Sequence, residues 1–144
     1  MYSLGIDPGQ KGGIAVISEY GIDVFPYSDD TLKTVAKSLT AVDVRCCLEQ
    51  VHSMPRQGVS STFKFGVSYG YIKGVLEARG ISYQEIPPQR WKKEFGLNSD
   101  KTASIDVCKR LFPGVDLKAT PRCRTDHDGM AEALLMAEYA RRRL

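Results

Sequence analysis

Three short apolar runs, separated by tight turns that contain glycine, begin the chain: residues 2–7, 13–18 and 22–27. Runs of this length, rich in aliphatic, β-branched and aromatic residues, predict three antiparallel strands in a meander. Helical and strand patterns then alternate, with a helix over 30–40, a strand over 44–51, a helix over 60–79 ended by Gly80, and a strand over 81–86. Because right-handed crossovers run the later strands parallel to the first, this α/β pattern predicts a mixed five-stranded sheet, three antiparallel strands and two further parallel ones, flanked by helices.

The last third of the chain is predicted to be helical. A short helix carrying Trp91 follows Pro87-Pro88, and two more are expected over about 100–112 and 128–142. With 144 residues, we expect one domain over 1–144 that buries roughly 68–70% of its unfolded surface. Such a domain needs neither a disulfide nor a structural metal to fold, so a metal in this protein would serve its function.

Charge and cysteine patterns restrict the class of protein. The formal net charge is only +3, but basic residues cluster at 90–93, 118–124 and 141–143, which favours a polyanionic partner. The four cysteines form no C-x-x-C pair, which argues against a zinc knuckle and against a secreted disulfide scaffold. With no apolar stretch of about 18 residues and no signal pattern, we expect a soluble protein without a membrane partner, in the cytoplasm of a bacterial or phage-infected cell or in an organelle.

Two acids fall near the carboxyl ends of predicted strands, Asp7 in the first and Glu49 in the fourth. If these strands are parallel neighbours, both acids emerge at the same edge of the sheet, where open α/β sheets bind their ligands. An alternative for Asp7 is a turn-initiating role, because its Asp-Pro-Gly sequence is typical of turns.

The final predicted helix supplies two more acids. Its sequence is apolar almost all round, yet Asp128 and Glu132 lie four residues apart on one inward face. Asp128 as the helix N-cap and Glu132 paired with an arginine of the basic loop would be a structural explanation. Four converging carboxylates, however, repel each other by about 4 kcal/mol per pair at 4 Å and an effective dielectric of 20, which protonation or divalent cations must relieve. Oxygen ligands suit Mg²⁺ or Mn²⁺, and a pair of such ions is the arrangement for phosphodiester hydrolysis.

Three segments carry a resemblance to a known family: GIDPG at 5–9, LEQVHSMP at 48–55 and HDGMAEALLMAEYA at 127–140. Together they resemble the acidic motifs of the RuvC-type Holliday junction resolvases, which have the ribonuclease H-like fold, and in particular their compact phage, bacterial and plastid branch. The resemblance implies a homodimeric endonuclease that cuts four-way DNA junctions symmetrically with two Mg²⁺ or Mn²⁺ ions per active site. By position it implies the metal ligands Asp7, Glu49, Asp128 and Glu132.

Other functions remain open. GIDPG also occurs in ribonuclease H-like RNA-processing nucleases and resembles the phosphate loop of sugar-kinase and actin-like ATPases. A ribonuclease H-like RNA-processing or monomeric structure-selective nuclease is therefore the main alternative, and a nucleotide-binding ATPase lobe is a remote one.

The last motif departs from the family pattern of two acids three residues apart. Glu132 matches the second acid, whereas Gly129 stands where the first would be. Asp128 is the preferred substitute, and Asp126 and His127 stay open. Lys101 resembles a family lysine that lies near the scissile phosphate and is counted with the catalytic residues.

The DNA contacts are expected mainly around the segment that follows Glu49. Aromatic, amide and basic side chains in such a place can stack on opened bases, read base edges or bind phosphates. The candidates are His52, Arg56, Gln57, Lys64, Lys92, Lys93, Arg122 and Arg124. Phe63 and Phe65 are expected in the core rather than on a stacking platform.

A stripe of glycines in the long predicted helix indicates a close approach. Gly66, Gly70 and Gly74 follow each other at four-residue spacing, and each weakens the helix by about 1 kcal/mol relative to alanine. The approaching element is either the protein's own sheet or the same helix of a second subunit.

Overall fold

A computed structural model describes residues 1–52, 54–98 and 101–144 of the chain, without the side chain of Lys101. The strands in these residues are β1 (Tyr2–Asp7), β2 (Gly13–Ser18), β3 (Gly21–Pro26), β4 (Val44–Glu49) and β5 (Tyr83–Ile86). The helices are α1 (Asp29–Ser38), α2 (Val59–Ala78), α3 (Pro88–Glu94), α4 (Lys101–Leu111) and α5 (Asp128–Arg143). None of these helices is both long enough and apolar enough to span a bilayer.

The five strands form one mixed sheet in the order β3-β2-β1-β4-β5. β1, β2 and β3 are antiparallel neighbours, whereas β4 runs parallel to β1 and β5 runs parallel to β4. The predicted fold class and the predicted order of elements are therefore confirmed. In the β1–β4 register, Ile6 is opposite Leu48, so Asp7 and Glu49 follow at the same end of neighbouring strands.

Helices cover both faces of the sheet. One hydrophobic core contains Leu4, Ile6 and Cys46 together with residues of α1 and α2. The other contains Cys47 and Trp91 together with most of the buried residues of α5. The side chains of the adjacent Cys46 and Cys47 thus point to opposite faces of the sheet.

The boundary between α2 and β5 differs from the prediction by two residues. Gly80, with φ of 69°, donates its N–H to Glu77 O, and Ile81 donates its N–H to Leu76 O. This pair of bonds is a Schellman cap, so Ile81 belongs to the end of the helix and the strand begins only at Tyr83.

Three glycines let α5 lie directly on the β1–β2 hairpin. A Cβ on Gly5 would overlap the backbone of Ala133, and a Cβ on Gly13 would lie 2.5 Å from Gly129 O. A Cβ on Gly129 itself would overlap the carbonyl oxygen of Lys11. The position of α5 is therefore set by backbone contacts at three places.

Candidate active site

Three carboxylates meet at the carboxyl edge of β1 and β4. Asp7 ends β1, Glu49 ends β4, and Glu132 projects from the second turn of α5. Each offers one oxygen within 4.8 Å of an oxygen from the others, and none of the three side chains is exposed. We call this group the carboxylate triad.

The close contact between α5 and the hairpin explains why the triad forms. Asp7 shares a strand face with Gly5, and Gly5 is where α5 rests on β1. Glu49 shares a face with Cys47, which lies in the core that α5 shares. Glu132 is therefore brought next to two acids that the parallel register has already placed side by side.

Burial and mutual repulsion change the ionisation of the triad. The pKa of Asp7 is raised well above its usual range, first by burial, then by the charges of Glu49 and Glu132, and by a hydrogen bond with Glu132. The pKa of Glu49 is raised by burial and by the charge of Glu132, against the opposing effects of a hydrogen bond from Trp91 and the charge of Lys92. Without a counter-ion, the folded protein therefore holds protons that the unfolded chain would release.

The triad fits a divalent cation of the hard class. All its donors are carboxylate oxygens, the ligands that Mg²⁺ and Mn²⁺ prefer. A cation would also neutralise the repulsion that raises the pKa of Asp7. Both the donor set and the charge balance of the triad therefore suit a divalent cation of this class.

Asp128 lies beside the triad rather than in it. It is the first residue of α5, its Oδ1 accepts the Gly129 N–H at 3.1 Å, and its charge contributes to the raised pKa of Asp7. The N-cap of α5 is His127, whose Nδ1 accepts the Met130 N–H at 3.0 Å, so an N-cap role for Asp128 is wrong. Asp128 stays a prediction as a metal ligand.

The Asp126 carboxylate forms ion pairs outside the triad. It pairs with Lys109 at 2.6 Å and Lys118 at 3.2 Å, and the hydrogen bond from Lys109 lowers its pKa despite some burial. The pair with Lys109 ties the loop before α5 to α4, and the pair with Lys118 lies within that loop. This geometry gives Asp126 a structural role at the end of that loop.

The segment after β4 carries several of the predicted DNA contacts. His52 and Arg56 are exposed, and Arg56 has φ of 69° as the third residue of a turn closed by Gln57 N donating to Met54 O. A positive φ is uncommon in a non-glycine residue. Gln57 braces the segment, since its Oε1 accepts the Met54 N–H and its Nε2 donates to Ser61 Oγ.

A cleft of about 650 Å³ opens between the β1–β2 turn and the first turns of α2. We call it the turn–helix cleft; its lining is Gly9, Gln10, Gly58, Ser60, Ser61, Lys64, Phe65 and Ser68. Gly9, in its wall, is two residues from Asp7 in the sequence. Lys64 supplies its positive charge, and Phe65 is half-buried in its wall.

The expectation for Phe63 is wrong, because its side chain is 73% exposed rather than in the core. The neighbouring glycine stripe is also open: among the residues that the structure describes, a Cβ on Gly66, Gly70 or Gly74 would meet no atom within 4 Å. The protein's own sheet is therefore not the element that the glycines were predicted to approach.

The remaining basic residues divide into two groups. Lys92 is half-buried with its ammonium 5.5 Å from the Trp91 ring centroid, while Lys93, Arg122 and Arg124 are exposed. Lys101 is the first residue of α4, but the structure does not describe its side chain. Its catalytic role therefore stays a prediction.

The basic residues at 141–143 form ion pairs within the protein. Arg141 and Arg142 form ion pairs with the buried Glu138, and Arg142 and Arg143 pair with Glu94 on α3. This cluster therefore joins α5 to α3 through acids of its own chain.

Trp91 is a site residue that sequence reasoning missed. Its indole N–H donates to Glu49 Oε2 at 2.9 Å. The sequence could have indicated Trp91, because this residue lies on the helix that directly follows β5, the strand beside Glu49.

The raised pKa values predict how the stability of the metal-free protein depends on pH. Since Asp7 and Glu49 titrate higher in the folded than in the unfolded state, their joint contribution is absent below about pH 4 and becomes destabilising as the pH rises. We therefore expect the melting temperature of Asp7→Asn to exceed that of the wild type by more at pH 7 than at pH 4, measured by scanning calorimetry in EDTA.

Saturating Mg²⁺ provides the control for this experiment and should remove most of the difference at pH 7. If the melting temperatures of Asp7→Asn and the wild type differ by the same amount at pH 4 and at pH 7, burial and repulsion do not raise the pKa values of the triad carboxyls.

Comparisons with known proteins support the fold. No protein-family model matches the chain, and no curated protein matches its sequence. Among solved structures, Thermus thermophilus RuvC matches with a TM-score of 0.62 and 20% identity, over 99% of this chain and 96% of the other. The T. thermophilus RuvC structure in complex with a Holliday junction substrate matches with a TM-score of 0.61, also at 20% identity and over 99% and 96% of the two chains. The chain therefore has a RuvC-like fold, which confirms the resemblance at the level of structure.

Proposed function

We propose that this protein is an endonuclease that resolves four-way DNA junctions by symmetric phosphodiester hydrolysis, using Mg²⁺ or Mn²⁺. The observation that carries the proposal is the carboxylate triad, with oxygens within 4.8 Å of one another, at the carboxyl edge of a RuvC-like sheet. The proposed place of action is the cytoplasm of a bacterial or phage-infected cell, or an organelle.

Asp7, Glu49 and Glu132 would hold the metal, with Asp128 as the fourth ligand. When bound, a pair of divalent ions lowers the pKa of water and neutralises charge on the scissile phosphate. The chain's own contribution is to hold the carboxylates at fixed separation and away from bulk solvent, which strengthens every electrostatic interaction at the site. Lys101 is proposed to add positive charge near the phosphate.

The turn–helix cleft is the proposed path of the DNA strand to the triad. Its serine hydroxyls and Lys64 can donate to phosphate oxygens, contacts that position DNA without reading its sequence. His52 and Arg56, exposed just beyond Glu49, are proposed to contact bases opened at the crossover. Gln57 is proposed to hold that segment in shape, and Lys92, Lys93, Arg122 and Arg124 to bind the outer phosphates.

The proposed assembly is a homodimer, because symmetric cutting needs two sites related by a two-fold axis. α2 presents one exposed apolar stripe that suits such an interface, which we call the α2 face: Val59, Phe63, Gly66, Val67, Gly70 and Gly74. Val59 is 89% exposed and Val67 57% exposed, and the open glycines would let a second helix approach closely. Exposed apolar side chains beside small residues are typical of helix–helix contacts between subunits.

A charge on the α2 face tests the dimer. Val67→Lys should shift the protein from dimer to monomer at micromolar concentration in sedimentation velocity, because it buries an unpaired ammonium in the proposed interface. Tyr20→Lys is the matched control, since Tyr20 is 82% exposed in the β2–β3 turn, outside the α2 face. A wild type that sediments as a monomer with and without junction DNA would instead favour the monomeric nuclease.

A substrate comparison tests the function itself. The wild type should cleave a synthetic four-way junction in Mg²⁺ much faster than a matched duplex, a single strand or an RNA–DNA hybrid, with paired nicks on opposed strands. Asp7→Asn should bind the junction within about tenfold of the wild type and fail to cut it, because it loses a metal ligand rather than a phosphate contact. Preferential cutting of RNA or of the hybrid would favour the RNA-processing alternative.

A further inference from the structure

The only tryptophan of the chain lies against the carboxylate triad. Trp91 is 0% exposed, and its indole Nε1 donates a hydrogen bond of 2.9 Å to Oε2 of Glu49. The contact follows from the topology, because Ile86 of β5 is opposite Glu49 and α3 begins two residues after Ile86. β5, the strand beside Glu49, therefore places the indole at the edge of the sheet.

The hydrogen bond restricts a flexible side chain. A glutamate has three side-chain torsions, and the last one has broad, weakly defined minima. The Trp91 ring is rigid and enclosed in the core with Cys47, Ile86 and Met130, so its N–H has a fixed position and direction. One oxygen of the Glu49 carboxylate is thus held in place.

We propose that Trp91 is a positioning residue for the carboxylate triad, whose indole N–H fixes the orientation of the Glu49 carboxylate and thereby sets the affinity of the site for a divalent cation. The inference rests on the metal site of the proposed function. A buried indole N–H needs some acceptor, and a backbone carbonyl would suffice. Here the acceptor belongs to the triad itself, and the next residue, Lys92, adds a cation 5.5 Å from the ring centroid.

Metal binding without DNA provides the first test. Trp91→Phe keeps an aromatic ring in the core and removes the donor. Its dissociation constant for Mn²⁺, measured by calorimetry, should rise about 10- to 100-fold, the usual effect of losing a partner that orients a ligand. Its affinity for a junction in EDTA should stay within about twofold of the wild type.

Ile72→Val is the matched control for a loss of packing alone. Ile72 is fully buried in the core on the other face of the sheet, so its truncation should lower stability and leave the Mn²⁺ affinity unchanged. A folded Trp91→Phe that binds Mn²⁺ as tightly as the wild type would overturn the proposal.

The second test uses the wild type alone and so does not depend on the folding of a variant. A single tryptophan gives a single indole N–H cross-peak in an ¹⁵N-labelled NMR spectrum of the wild type. This peak should shift during a Mg²⁺ titration, along the same curve as calorimetric binding. A peak that stays in place while Mg²⁺ binds would overturn the positioning role.

The outcomes separate this inference from the proposed function. If Trp91→Phe weakens Mn²⁺ binding but the wild type cuts no junction, the positioning role stands and the junction nuclease fails. If the wild type cuts junctions and Trp91→Phe matches it in Mn²⁺ affinity, only the positioning role is overturned.

Discussion

Glu132→Gln is expected to lower junction cleavage by several orders of magnitude while the protein stays folded. Glu132 is the triad member supplied by α5, and a neutral amide binds a hard divalent cation more weakly than a carboxylate does. Removing its charge also relieves repulsion on Asp7, so without metal the variant should be about 1 kcal/mol more stable, a rise in melting temperature of roughly 4 °C. Single-turnover cleavage in Mg²⁺ and scanning calorimetry in EDTA measure the two effects.

Asp126→Asn is the matched control, because Asp126 is an acid of the loop before α5 whose charge is balanced by Lys109 and Lys118. It should keep cleavage within about tenfold and lose stability as its ion pairs weaken. The reverse result, with Asp126→Asn inactive and Glu132→Gln close to wild type, would assign the metal site to the loop around His127 instead of the face of α5.

Gly129→Ala is expected to produce the largest loss of stability of any single-methyl change in α5. The added Cβ would overlap the carbonyl oxygen of Lys11, and a backbone atom in a hairpin cannot move aside as the end of a side chain can. Overpacking of this kind destabilises by about 3 kcal/mol, which outweighs the gain of up to about 1 kcal/mol from replacing a helical glycine. Urea unfolding followed by far-UV circular dichroism measures the net effect.

Gly58→Ala is the control for the glycine-to-alanine change itself. Gly58 is the N-cap of α2 with φ of −63°, and a Cβ there would meet no atom of the described residues within 4 Å, so the change should cost at most about 1 kcal/mol, from the poorer capping by alanine. A Gly129→Ala protein as stable as the wild type would mean that α5 can move away from the hairpin.

The fold was largely predictable because each step depends on a local pattern. Short alternating runs with glycine turns specify the meander, and the handedness of crossovers then determines which strands are parallel. The placement of Asp7 and Glu49 at one edge follows from that topology. The proximity of Glu132 to Asp7 and Glu49 follows from its position on the inward face of a buried helix.

What could not be predicted depends on contacts between distant parts of the chain. The hydrogen bond between Trp91 and Glu49 joins residues 42 positions apart, and no local pattern records it. The exposure of Phe63 depends on which face of α2 meets the sheet, and α2 is apolar on several sides. The arginines at the C-terminus looked like a polyanion site because Glu94, which pairs with Arg142 and Arg143, lies 48 and 49 positions away from them in the sequence.

The backbone contact between α5 and the hairpin limits how this active site can evolve. With Gly129 pressed against the carbonyl oxygen of Lys11, an acidic side chain at position 129 has no room. Acquiring that acid would require α5 to be lifted or rotated first, which would separate Glu132 from Asp7 and Glu49. The backbone contact therefore ties the position of Glu132 to the absence of a side chain at position 129.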